Sequence, residues 1–132
     1  MAAPRRIVPA LLAGALCAAG CRSQQQILTE HRTGLVSLEA AATMAGDAWL
    51  SGDVSTAYTR TLLEYGERLL AQQRADFASE IALLATDQGA TLSEAEDQLS
   101  RSLASLYNAV DECDAAAARR CLHDLRIRAS RP

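Results

Sequence analysis

Lysine is absent from all 132 residues, and proline is absent between residues 10 and 131. Without an ε-amino group the chain can form neither a lysine Schiff base nor a lysine link to peptidoglycan. Without internal proline, no pyrrolidine ring breaks a helix between those positions. Aromatic side chains are few: Trp49, Tyr58, Tyr65, Phe77 and Tyr107. A nucleic-acid surface needs basic residues interleaved with aromatics, and no stretch supplies one. No apolar run reaches the ~20 residues that a spanning helix requires, and strand-like alternation of period two is missing throughout. Nor is there a glycine-rich phosphate loop, a nucleophile elbow or a paired-carboxylate motif. The chain therefore reads as a non-enzyme with no cofactor and no evident small-molecule substrate.

The most informative stretch is at the start. Arg5-Arg6 precedes thirteen mostly apolar residues, Ile7 to Ala19, and the run closes on small side chains. A basic head, a short apolar centre and a small-residue end make a secretory signal peptide. Directly after it stands Cys21. The segment Ala18-Ala19-Gly20-Cys21 resembles the lipobox of bacterial lipoproteins, whose cysteine becomes the lipidated first residue of the mature chain. That resemblance implies residues 1–20 as a signal peptide and acyl chains such as palmitate on Cys21. Two or more chains anchor a protein stably, at ~0.8 kcal/mol per buried methylene. In the family, Asp after the cysteine favours the inner membrane; Arg22 stands here. The implied place is the periplasmic face of the outer membrane, or the outer face of the cell membrane where only one exists.

From Cys21 onward, eleven arginines face sixteen acids, a net charge of −5. One small domain fits this length. Residues 21–26 read as a lipidated polar tether and 27–132 as a helical domain. Cys113 and Cys121 are the remaining cysteines, and an oxidising compartment favours a disulfide between them. Eight residues of continuous helix would hold them ~12 Å apart, whereas the bond needs Cα atoms within ~7 Å. A bridge therefore requires a helix break, for which Asp114 is suited. Free thiols or an intermolecular bond are the alternatives.

Periodicity gives four helices. Leu28, Leu35, Ala42 and Trp49 recur every seven residues, with His31, Leu38 and Ala45 between them, a coiled-coil-like stripe. Gly52 suits a left-handed cap, and Asp53 or Ser55 can start the next helix. There Leu63, Leu70, Phe77 and Leu84 repeat, flanked by Leu62, Leu69, Ile81 and Leu83, up to Gln88-Gly89. Ser93-Glu94-Ala95-Glu96 reads as a capping box ahead of Leu99, Leu103, Leu106 and Val110. Asp114 opens a shorter fourth helix with Ala118, Leu122, Leu125 and Ala129 on one face. The fold class is all-α, an antiparallel four-helix bundle built on a long helical hairpin. Apolar surface left over on that hairpin would mark a partner groove.

Ala45, Trp49, Gly52-Asp53-Val54 and Ala57 are faintly similar to the turn of a tetratricopeptide unit. The segment around Ala48, Gly52-Asp53 and Ala57 also matches Ala109, Cys113-Asp114 and Ala118 at an offset of 61 residues. That offset does not suit a 34-residue period, and a generic helical hairpin accounts for it. His31 and His123 have no sequence neighbours spaced for acid–base or metal chemistry, so no metal site is assigned and His31 reads as a boundary residue. Residues 80–114 carry eight acids against Arg101, while Arg119, Arg120, Arg126 and Arg128 crowd the end. Those arginines suit a helix C-terminus and could grip an anionic membrane or wall. The sequence thus points to a lipid-anchored envelope module that binds a protein partner, as scaffold or accessory subunit. An envelope hydrolase or wall-modifying enzyme is the alternative.

Overall fold

The computed structural model describes residues 23–83 and 87–130; the signal segment and Cys21 lie outside the described residues, as does Leu84. Four helices run in order: α1 (Gln24–Leu50), α2 (Thr56–Leu83), α3 (Asp87–Asp111) and α4 (Ala115–Ala129). They pack against one another as an all-α bundle, with no strand among the described residues. Each helix touches its neighbours in sequence. In addition α1 meets both α3 and α4, whereas α2 and α4 do not touch. The α1–α3 pair thus forms the spine, with α2 on one side and α4 on the other.

The helices start and stop for local reasons. α1 begins three residues before Ile27, because Ser23 Oγ accepts from Gln26 N at 3.1 Å. Apolar spacing alone had left Gln24 to Gln26 in the tether. Ser55, rather than Asp53, takes the start of α2, its Oγ accepting from Tyr58 N at 3.2 Å. Asp114 caps α4 through Ala117 N at 2.9 Å. α2 ends sooner than expected and α3 starts sooner, at Asp87. Ser93 and Glu96 therefore sit inside α3, and the predicted capping box does not form.

Both α1–α2 and α3–α4 turns close with the same hydrogen bonds. Asp53 N donates to Ala48 O at 2.9 Å and Gly52 N to Trp49 O at 3.0 Å. At the second turn Asp114 N donates to Ala109 O at 2.8 Å and Cys113 N to Val110 O at 3.1 Å. This is the Schellman pattern, which needs a left-handed residue just past the helix. Gly52 supplies it at φ 79°, and Cys113 at φ 56°. The 61-residue match in sequence is a match in turn geometry.

The stripes become the core. Leu63, Leu103, Leu106, Val110, Ala118, Leu122 and Leu125 are each at most 1% exposed. Where α4 crosses α1, Gly46 lets the backbones approach: a Cβ there would lie 2.8 Å from Leu122 Cδ2. With 15 residues, ~22 Å, α4 covers little more than half of the 27-residue α1. Ala129, assigned to the buried face, is exposed at its end. Beyond α4 the bundle has three helices.

Candidate functional site

Two features stand out: a buried polar layer in the three-helix half and an apolar groove between α1 and α2. The first gathers His31 of α1, Arg74 and Phe77 of α2, and Glu96 of α3. His31 Nε2 lies 3.1 Å from Glu96 Oε1, with side chains 0% and 3% exposed. The approach is too poorly aligned for a hydrogen bond, and both His31 nitrogens and this oxygen are buried without one. Arg74 Nε is 3.6 Å from Glu96 Oε2, and its Nη2 pairs with Asp97. The Phe77 ring covers His31, centroids 4.1 Å apart.

Electrostatics follow from this burial. Desolvation pushes His31 below its ordinary value, opposed by its own backbone amide and the charge of Glu80. Desolvation also raises Glu96, opposed by Arg74 and assisted by Asp97. Both shifts favour the neutral forms, because burial penalises the charged ones. The boundary assignment of His31 is thus corrected: it is a core residue. The signal was present, since His31 lies on the α1 stripe. Glu96 likewise falls in register with Leu92, Leu99 and Leu103, where the capping motif drew attention away from it.

The groove is built differently. Leu38, Ala41, Ala42 and Ala45 of α1 form one wall, and Leu62, Tyr65, Gly66 and Leu69 of α2 the other. It encloses about 250 Å³, and none of its lining residues is charged. Along this side of α2, Tyr58 and Tyr65 are each 55% exposed and Leu62 38%. These three follow at i, i+4 and i+7, so one face of α2 presents them together. This is the surplus apolar surface on the hairpin that the sequence had left open.

The remaining sequence candidates are dispersed. Both thiols are free: Cys113 is exposed in the α3–α4 turn, and Cys121 is half-buried on α4. The helix does break at Asp114, yet the six steps along α4 from Ala115 to Cys121 still add ~9 Å of rise. The pair is unbridged in this structure. Burial, then the nearby Asp124, pushes the Cys121 thiol up, with Arg120 acting the other way. Arg119 and Arg120 are exposed on α4. Arg126 instead grips Asp47 of α1, Nη2 lying 2.6 Å from both carboxylate oxygens, and Arg128 pairs with Ser102 of α3. Half of the arginine tail is thus engaged in docking α4. His123 is exposed, and no three ligand side chains converge among the described residues. No helix among them is long and apolar enough to cross a membrane.

No protein family model, curated protein or solved structure matches this chain.

Proposed function

We propose that the chain is a lipid-anchored cell-envelope module that works by binding a protein partner through the α1–α2 groove. Support comes chiefly from the groove itself. An uncharged recess beside two exposed tyrosines and a leucine offers binding by burial of apolar surface. Acid–base chemistry would need ionisable groups open to a substrate. The buried His31–Glu96 pair is sealed from solvent, which makes the alternative of a hydrolase the weaker reading.

The anchor in this reading is acylated Cys21, on the resemblance of Ala18-Ala19-Gly20-Cys21 to a lipobox. Its place is the periplasmic face of the outer membrane, or the outer surface of a single membrane. α1 starts three residues after Cys21, so the end bearing its N-terminus would lie next to the lipid and the two Schellman turns away from it. Among the described residues, Arg119 and Arg120 are the tail arginines left to meet anionic surfaces, with Arg126 and Arg128 committed to the fold.

Cell fractionation tests the anchor. The Cys21→Ala chain should move from the membrane to the soluble fraction, and Cys21 of the unmodified chain should carry a lipid-sized mass increment. Retention of Cys21→Ala in the membrane overturns the reading. Neutralising Arg119 and Arg120 in the released chain should weaken its adhesion to anionic vesicles at low salt only.

A further inference from the structure

We propose that the three-helix half of the bundle opens on its own, residues 24–37 of α1, 68–83 of α2 and 87–101 of α3 unwinding together while the half that holds α4 stays folded. Contacts between helices fix where one half gives way to the other. Arg128, near the end of α4, pairs with Ser102 of α3. Along α2, Arg60 bonds Tyr107 of α3 and Arg74 pairs with Asp97, so α2 passes the level of Ser102 midway between them, near Glu67. On α1, Trp49 bonds Thr56 and His31 stacks on Phe77 of α2. Both α1 and α3 are therefore antiparallel to α2 and parallel to each other. Because His31 lies against Glu96, α1 reaches the level of Ser102 near Ser37.

Packing, polar bonding and chain topology each make this half the weaker one. Leu28, Leu35, Leu92 and Leu99 are 5–8% exposed, whereas Leu103, Leu106, Leu122 and Leu125 are at most 1%. His31 Nδ1 and Nε2, Gln73 Oε1 and Glu96 Oε1 are buried without a hydrogen bond, and among the described residues the four-helix half has no such atom. Each sets its desolvation against the burial around it, a penalty that opening relieves when water reaches the group. Opening also asks little of the chain. It frees one tail before residue 38 and one loop, 68–101, whose closure entropy grows only slowly with length. To open the other half instead, α4 would have to leave both α1 and α3, and Arg126 would have to leave Asp47.

On the anchored reading above, the end that opens is the one beside the lipid, since α1 starts three residues after Cys21. Leu28, Leu70 and Leu92 then leave the core next to the bilayer. The opening itself follows from the packing and does not depend on the anchor.

Native-state hydrogen exchange of the full chain in detergent, read amide by amide by NMR in rising sub-denaturing guanidinium, tests this. Interior amides from His31 to Leu35, Leu70 to Phe77 and Glu96 to Leu99 should share one opening. It should be at least ~10-fold more frequent than the opening of Leu103 to Val110 and Leu122 to Leu125. Its denaturant dependence should also be the smaller, because less surface is exposed. Leu125→Ala should speed exchange in the four-helix half and leave the other half unchanged; Val110→Ala takes its place if that chain does not fold. His31→Leu combined with Glu96→Leu should slow exchange in the three-helix half at least ~10-fold. A single rate throughout the bundle overturns the proposal, as do rates graded from the helix ends inward. Equal acceleration of both halves by Leu125→Ala overturns it too, by making the bundle one cooperative unit. A leucine pair that fails to fold, or that leaves exchange around Phe77 unchanged, removes the polar layer as the cause, and the proposal falls with it. Fractionation of Cys21→Ala decides the anchor separately, so either reading can fail without the other.

Discussion

The half of the bundle that holds α4 and the half that lies beyond it solve the same packing problem with different chemistry. In the four-helix half, Leu103, Leu106, Val110, Leu122 and Leu125 close the interior to within 1% exposure. Arg60 of α2 reinforces it from outside, donating to Tyr107 Oη at 3.2 and 3.0 Å and pairing with Asp111 at 2.9 Å. In the three-helix half the equivalent layer is His31, Glu96 and Phe77, with Arg74 reaching in from the edge. Leu28 and Leu92 lie on one side of that layer and Leu35 and Leu99 on the other, all buried. The difference teaches that the two halves contribute unequally. Dispersion and dehydration hold the first, whereas the second sets imperfectly bonded polar groups against desolvation.

The largest way to break this comparison is to damage the stronger half. Leu125 is fully buried on α4, and Leu125→Ala should cost ~3–4 kcal/mol, as transfer and cavity terms add. Denaturant unfolding would measure it, and a loss below about 1 kcal/mol would show that α4 is peripheral. The opposite operation applies to the polar layer. Replacing His31 and Glu96 together by leucine removes two desolvation penalties, and gains of ~1–4 kcal/mol have precedent for such swaps. Destabilisation by the double variant would instead mark the layer as well satisfied.

A pH series sharpens the same contrast, because the two partners titrate with opposite effect. His31 has its folded value below the ordinary 6.5 through desolvation, so the unfolded chain binds the proton first. Its contribution is full above pH 6.5 and is lost as the pH falls below that. Glu96 has its folded value above the ordinary 4.5, again through desolvation, so the folded chain holds the proton longer. Its contribution is full below pH 4.5 and is lost as the pH rises through the raised value. Between 4.5 and 6.5 the slopes oppose each other. Glu96→Gln should therefore leave a protein that weakens on acidification, and His31→Gln one that strengthens. Melting temperatures from pH 4 to 7 check the signs, and parallel profiles would exclude the assignment.

How much of this was legible in the chain follows from what each kind of signal reports. Heptad spacing located the core faces of all four helices, since Leu28, Leu35, Leu63, Leu70, Leu99 and Leu125 face inward as their register requires. Helix ends were less readable where no apolar residue marks them. Ser23 extends α1 through three glutamines, and α3 starts at Asp87 although Ser93 offers a sound cap. The polar layer was missed because residue type was weighed above register: His31 and Glu96 sit on their stripes, but polar side chains there suggest a boundary. The groove could not be located before folding. Its floor depends on how α1 and α2 lean on each other, and Tyr58, Leu62 and Tyr65 look like any flank of an amphipathic helix until α4 is seen to cover only the other side.

The smallest effect concerns the turns at the end of the strong half. Gly52 and Cys113 occupy equivalent Schellman positions with matching hydrogen bonds, at φ 79° and 56°. Only glycine enters that region without a clash of its Cβ, which costs other residues about 1 kcal/mol. Gly52→Ala should thus lose ~1 kcal/mol, and Cys113→Gly should gain up to a similar amount, reduced by the added freedom of the unfolded chain. Cys113 is exposed and unbonded, so its replacement removes no packing and no disulfide. Thermal unfolding under reducing conditions reads both variants, with shifts of roughly 4–8 °C per kcal/mol in a domain of this size. A destabilised Cys113→Gly chain would mean that the thiol makes an interaction worth more than the backbone strain. The two turns would then differ in substance and not only in sequence.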